Sequence, residues 1–381
     1  MRGHVSSYDT KGGRRWRIVY DLPPNEDGRR RRTTRRGFAT EDEADRALRK
    51  ALGAIDDGTH VDPSTATVGQ YLRAWLDGTQ VRRTTLARYR QSVESHLIPH
   101  LGGIRLQALT TEDCDRCYRI LSERGRRDGG PLKAKTVQNA HGVLHVALDG
   151  AVRRGHVVRN VADYASPPRR DRKEDMRVWD GAQLRTFIAH VRPSRWYAMW
   201  LLFMTTGMRR GEVLGLRWDA VDLERGAVVV RRQWTVADGE AFEEDTKTRR
   251  GQRTVAVDPV TVAALRELRK RQLEERMALG AGYQDDNRVF CWEDGRPIHP
   301  QNPTKWLPKI AEELGLPRLT PHGLRHSYAT AALGAGVDVK VLSERIGHAN
   351  TAITRDLYQH VLPEMDRDAA DTIAASILGG Q

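Results

Sequence analysis

The 381-residue chain is poor in cysteine, in lysine and in long apolar runs. Three cysteines cannot build a disulfide framework, and they point to a reducing compartment. No apolar stretch approaches the ~18 residues of a membrane-crossing helix, so no membrane association is expected. The first residues lack an apolar export segment, and the expected location is therefore the cytoplasm. A GxxxxGK[ST] phosphate loop and a clustered carboxylate site are both missing from the sequence. Only ten of the 63 basic residues are lysine. An excess of guanidinium suggests planar, forked recognition of phosphate rather than simple solubility.

What is present fits a soluble, folded chain: 39% hydrophobic and 30% charged. The length suggests two or three domains of roughly 100–200 residues each. The net charge of +13 is unevenly spread. Residues 1–40 hold 11 Lys and Arg against 4 Asp and Glu; residues 41–60 reverse this with 3 against 6. Residues 61–175 hold 20 against 13, and residues 176–381 are nearly balanced at 29 against 27. A basic first half reads as attraction to a polyanion, nucleic acid first.

Patterning divides the chain further, into a multidomain α+β protein. Trp16, Ile18 and Tyr20 alternate with Arg17 and Val19, the period of a strand. With His4–Tyr8 and Arg29–Phe38 this predicts a small three-stranded sheet. A helix follows, starting at Thr40 with Glu43 as a capping box and an inner stripe of Ala44, Leu48, Ala51 and Leu52. Basic residues Arg14, Arg15, Arg17, Arg29, Arg30, Arg31, Arg32, Arg35 and Arg36 would occupy the exposed face of this sheet.

Residues 67–165 read as all-α. Val68, Tyr71, Leu72, Trp75 and Leu76 follow the helical period, as do Val137, Ala140, Leu144, Ala147 and Ala151. Residues 167–175 (PPRRDRKED) read as a linker. The last part is mixed and mainly α. Val228–Trp234 and Gln252–Val257 look like strands joined by a polar hairpin around Lys247, and Pro259–Leu279 looks like a long helix. The resulting domains are 1–60, 65–166 and 176–381.

Cys114-x-x-Cys117 followed by His141-x-x-x-His145 has the look of a metal set. The 23 residues between cysteine and histidine exceed the roughly 12 of a compact zinc finger. Both cysteines also fall on the apolar stripe with Leu121, where a thiol serves as a small hydrophobe. No metal is expected.

Four segments of the C-terminal part carry candidate chemistry. In TTGMRRGEVLGLRW (205–218), Arg209 and Glu212 are three apart, so on a helix they share a face and a carboxylate can orient a guanidinium. In TKTRRGQRTVAVD (246–258), Lys247 falls on the expected hairpin. In LTPHGLRHSYAT (319–330), Thr320 is an N-cap and Pro321 suits the first helical position. His322 and Arg325 then share the first turn, where helix N-termini favour phosphate. In LSERIGHANTAITRDLYQHV (342–361), His348 follows a glycine and Tyr358 lies ten residues on. Each segment alone is also explained by ordinary surface or packing roles.

The ordered series Arg-x-x-Glu, hairpin Lys, His-x-x-Arg, Gly-His and Tyr resembles the tyrosine recombinase (phage integrase) family, over about residues 176–365. The nearest likeness is to integrases of actinobacterial phages and integrative elements. The resemblance implies an arm-type DNA-binding domain at 1–60, a helical SAM-like core-binding domain at 65–166 and a catalytic domain at 176–381. It implies that Arg209 and Arg325 clamp the scissile phosphate and that His322 exchanges protons near the nucleophile. It further implies that Lys247 protonates the leaving 5′-oxygen, His348 hydrogen-bonds the phosphate, Tyr358 attacks it, and Glu212 supports the site from behind. Arg210 competes for the first role; the spacing to Glu212 and the family pattern both select Arg209. Ile346 stands where leucine usually precedes Gly-His.

The implied reaction is DNA cleavage and rejoining through a 3′-phosphotyrosyl bond and a Holliday junction, to integrate or excise a mobile element, without cofactor. Implied partners are double-stranded DNA at core and arm sites, a homotetramer on that DNA, an excisionase and a DNA-bending host factor. The apolar stripe Ala369, Ile373, Ala374, Ile377 and Leu378 would dock on a neighbouring protomer. Two other functions share these features: a type IB topoisomerase-like strand transferase, and a sequence-specific DNA-binding protein with a relic site.

Overall fold

The computed structural model describes residues 3–22, 31–58, 60–169, 177–245 and 252–347. Two compact units emerge, residues 1–172 and 173–381.

In the first unit, β1 (Gly3–Thr10), β2 (Gly13–Leu22) and β3 (Arg31–Phe38) form an antiparallel sheet in that order. Helix α1 (Glu41–Asp56) covers one face, burying Ala44, Leu48, Ala51 and Ile55 against Ile18 and Tyr20. Thr40 caps α1 by accepting from the Glu43 amide at 3.2 Å. Glu43 reaches one residue further back than a capping box requires, to the Ala39 amide at 2.9 Å. The sheet register sorts the arginines. Arg17 lies beside Ser6 and Arg36, Arg15 beside Tyr8, and Arg32 beside Asp21, all on the face away from α1. Arg35 is opposite the buried Ile18 and Arg31 opposite Leu22, on the α1 side, and Arg14 leans over the Trp16 ring. The nine arginines expected on one exposed face therefore do not share it, because neighbours in register must point the same way. Arg29 and Arg30 lie outside the described residues.

The helices that follow are α2 (Val68–Gly78), α3 (Arg83–Ser92), α4 (Ile98–Leu101), α5 (Thr111–Arg124) and α6 (Ala134–Arg153). A π-turn over Val93–Leu97 joins α3 to α4. Their apolar stripes meet in one core, where Cys114 and Cys117 are buried beside Tyr118 and Leu121. Burial pushes both thiols up to about 12, which makes them poor thiolates at neutral pH. His141 bonds Tyr118 Oη at 3.0 Å, while His145 pairs with Asp163 at 2.8 Å.

The second unit contains α7 (Gly181–Val191), α8 (Tyr197–Thr206), α9 (Arg210–Leu214), α10 (Pro259–Leu279), α11 (Asn302–Glu313), α12 (Pro321–Gly334) and α13 (Val339–Ile346). Helix α8 is apolar nearly all round because it sits inside its unit, packed by α7, α10 and α12. Strands β4 (Val221–Asp222), β5 (Ala227–Val230) and β8 (Arg253–Ala256) form one small sheet, and β6 (Arg232–Ala237) and β7 (Glu240–Asp245) form another.

This corrects the expected strand pair. Val228–Trp234 is two strands broken at Arg231, and a β6–β7 hairpin intervenes before β8. Its turn is Asp238-Gly239, both at positive φ, as a two-residue primed turn requires. Strand β6 leaves the sheet because it packs on α9, where Gly211 and Gly215 bring the backbones of α9 and β6 close together. Lys247 follows β7 and lies outside the described residues, as do His348, Tyr358, the apolar tail stripe and most of the expected linker. Among the described residues no helix is long and apolar enough to cross a membrane.

Candidate active site

Helix α12 begins as its sequence dictates. Thr320 accepts from the Gly323 amide at 3.2 Å and Pro321 occupies the first turn. His322 and Arg325 follow on that turn. Arg325 is only 2% exposed and donates from Nη1 to the Gly207 carbonyl at 2.7 Å. Gly207 ends α8 in the left-handed region, at φ +61°. A side chain there would run into the Tyr328 ring, so glycine is needed both for the turn and for the close approach of α12.

Arg209 is not inside a helix, as the spacing suggested, but is the residue that precedes α9. The three-residue spacing still brings the pair together. Glu212 accepts from the Arg209 amide at 2.9 Å and from its Nη1 at 2.8 Å. Arg209 Nη2 donates to the Gly347 carbonyl at 2.7 Å, which ties α9 to the end of α13. Two-fifths of the Arg209 side chain remains exposed, while that of Glu212 is 2% exposed. Arg210 turns away and bonds Thr304 Oγ1 at 2.7 Å, on α11.

The carboxylate of Glu212 has a second cation that sequence reasoning missed. Arg253, at the head of β8, reaches it with Nη2 at 3.0 Å and Nη1 at 3.2 Å. Burial pushes the Glu212 carboxyl up; the bonds and charge of Arg253, then the charge and amide of Arg209, outweigh it and hold it below the ordinary range. Nothing local marks Arg253, which reads as one more basic residue in an alternating strand 41 positions from its partner.

His322 completes the described cluster. Its imidazole is pushed down by burial, then by the charges of Arg325 and Arg209. It is therefore neutral at pH 7 and able to accept a proton. His326 stacks edge-on to it, with centroids 4.4 Å apart, and is pushed down to about 4 by burial, His322 and Arg325. The structure thus brings Arg209, Glu212, His322 and Arg325 together from α9 and α12. Two guanidiniums beside an imidazole whose charging burial disfavours are groups chemically suited to an anion that gains charge.

The sequence from 177 to 365 matches the phage integrase family, 5–55 an arm DNA-binding domain, and 67–122 the N-terminal SAM-like domain of phage integrases. The chain belongs to the phage integrase family of tyrosine recombinases. A XerC-like tyrosine recombinase of Caldanaerobacter subterraneus is 27% identical over 97% of this chain and 98% of its own length. An integrase of Streptomyces ambofaciens is 28% identical over 91% and 89%. In fold, the recombinase resembles the Tn1549 transposon integrase solved with circular intermediate DNA (TM-score 0.66, 21% identity, 79% and 99% covered). It also resembles lambda integrase solved as a dimer on a core site (TM-score 0.55, 14% identity, 92% and 94% covered). It is a tyrosine-type site-specific DNA recombinase.

Proposed function

We propose that the recombinase integrates and excises a mobile element by exchanging strands between two duplexes, one strand of each at a time. The observation that carries the residue assignment is the Arg209–Glu212–His322–Arg325 cluster, with Arg209 partly open to solvent. Arg209 and Arg325 bind the non-bridging oxygens of the scissile phosphate and oppose the charge gained in the transition state. Tyr358 Oη attacks phosphorus as His322 accepts the phenolic proton. The bond from phosphorus to the 5′-oxygen breaks, and Lys247 supplies the proton to that leaving oxygen. His348 hydrogen-bonds the same phosphate. The 3′-phosphotyrosyl bond preserves an ester, so a 5′-hydroxyl from the other duplex can attack it and release the tyrosine; two such rounds pass through a Holliday junction.

The partner is double-stranded DNA. Residues 1–60 hold arm sites, with Arg15, Arg17, Arg32 and Arg36 on the open sheet face. Residues 65–166 hold the core site, and residues 176–381 carry the chemistry. Four copies assemble on DNA in the bacterial cytoplasm, joined by their C-terminal tails, with an excisionase and a DNA-bending host factor setting direction.

A nicked suicide substrate of the element's own attachment site tests this. A covalent adduct is expected with the native protein and none with Tyr358→Phe. An adduct that survives Tyr358→Phe overturns the assignment of the nucleophile. Adduct without exchange between two different sites would leave a topoisomerase-like strand transferase, and no adduct would leave a DNA-binding protein.

A further inference from the structure

We propose that Arg253 is a positioning residue for the cleavage step, which through Glu212 and the end of α13 sets the orientation of the Arg209 guanidinium. The proposal rests on the reading of Arg209 as a phosphate clamp.

Arg253 differs from Arg209 in what it can reach. Its side chain is 9% exposed against 40% for Arg209, so it is placed to hold protein groups rather than a phosphate. Three of its bonds go to two parts of the site. Nη1 and Nη2 take both oxygens of Glu212, at 3.2 and 3.0 Å. Nε donates to the Arg345 carbonyl at 2.6 Å, in the last turn of α13. The guanidinium also packs against Gly347, where a Cβ would stand 3.0 Å from Nη1. Gly347 is in the left-handed region at φ +70°, and its carbonyl is the one that Arg209 Nη2 holds.

A closed circuit results. Arg253 fixes Glu212, Glu212 fixes Arg209 at its amide and Nη1, Arg209 fixes Gly347, and Gly347 rests on Arg253. The residue after Gly347 is His348. One buried fork therefore sets both the Arg209 guanidinium and the Gly347 backbone that holds it. Without Arg253, Glu212 would keep only the bonds from the Arg209 amide and Nη1, and neither of these ties it to β8 or to the end of α13. Lysine cannot replace Arg253 fully, because a point charge cannot span two carboxylate oxygens and a carbonyl in fixed directions.

The test measures single-turnover cleavage of the nicked attachment site by the full chain. Two substrates are compared: the native phosphodiester, and a methylphosphonate at the scissile position, which carries no charge. Arg253→Ala is expected to slow cleavage of the phosphodiester by ~10²-fold, the scale of a misplaced catalytic group. Arg253→Lys should fall between. Affinity for the duplex should stay within about twofold, since so buried a side chain does not face DNA. The deciding readout is the methylphosphonate. A clamp that no longer faces negative charge matters less, so the Arg253→Ala and Arg209→Ala defects should shrink together on it.

Native cleavage rates for Arg253→Ala overturn the proposal. So does an equal slowing on both substrates, which is what mere loss of structure produces. If the alanine variant does not fold, Arg253→Lys is read on the same two substrates by the same criteria. Controls keep the underlying reading separate. Full cleavage by Arg209→Ala would refute the clamp itself, whereas a slow Arg209→Ala beside a fast Arg253→Ala refutes only the present proposal.

Discussion

Replacing Glu212 with glutamine removes one charge and one acceptor from the centre of the site. The carboxylate accepts four bonds, from the Arg209 amide and Nη1 and from Arg253 Nη1 and Nη2, at 2.8–3.2 Å. An amide keeps one acceptor oxygen and turns an N–H group toward donors. At least two charge-assisted bonds disappear, at about 1.5–3 kcal/mol each. The share of Arg209 is discounted, because its side chain is 40% exposed and water can replace the bond. Arg253 has no such recourse. The net cost is therefore about 3–5 kcal/mol, the range for breaking a buried ion pair from one side.

In a unit of this size that is a fall in melting temperature on the order of 10 °C. Tryptophan fluorescence is the direct assay, since seven of the nine tryptophans belong to residues 173–381. The pH dependence supplies a second check. The folded carboxyl is held below its ordinary 4.5, so its stabilisation is present above pH 4.5 and is lost as pH falls through the lower folded value. The gap between native protein and Glu212→Gln should narrow below pH 4.5. A melting temperature changed by less than about 2 °C at pH 7 would refute the view of Glu212 as a buried hub.

Three further outcomes are expected. Gly207→Ala should cost at least about 1–2 kcal/mol from its left-handed backbone and displace Tyr328, and it should slow cleavage by shifting the carbonyl that holds Arg325; an unchanged denaturant midpoint contradicts this. Acidification should destabilise the catalytic unit between pH 6.5 and about 4, because the unfolded chain binds protons there that the folded His326 and His322 refuse; His326→Gln should flatten the profile in urea titrations, and a profile equally steep in that variant rejects the assignment. Changing Arg15, Arg17, Arg32 and Arg36 to glutamine should lower the slope of log affinity against log salt for arm-site DNA by about 0.9 for each phosphate no longer neutralised, with core-site cleavage intact; an unchanged slope would move the arm-binding surface off the open sheet face.

Local signals in the sequence were enough for the helix boundaries that matter here. Thr320 and Pro321 start α12, Asp258 and Pro259 start α10, and the apolar stripes around Leu72 and Leu144 fill one core. These depend on neighbours within a turn, where capping and periodicity act. The pairing of Arg209 with Glu212 was legible for the same reason, although its geometry is that of a helix entry. The β6–β7 hairpin was not resolved from β5, because the break at Arg231 is imposed by packing on α9 rather than by any residue at the break. The exposed arginines of the sheet could be counted but not sorted, since their faces follow from strand register.

Along the chain, Arg209, Glu212, His322 and Arg325 could be named as candidates, and the left-handed backbone and close packing at Gly207 and Gly347 show why those glycines stand where they do. Packing in three dimensions was needed to show that Arg253 joins Glu212, that Arg210 leaves for α11, and that Arg209 keeps an open side while Arg325 is enclosed. The difference is one of range. Capping, alternation and helical stripes are set by groups a few residues apart. The charge balance of a buried carboxylate is set by whichever cations the packed core brings to it, here one 3 and one 41 positions away along the chain.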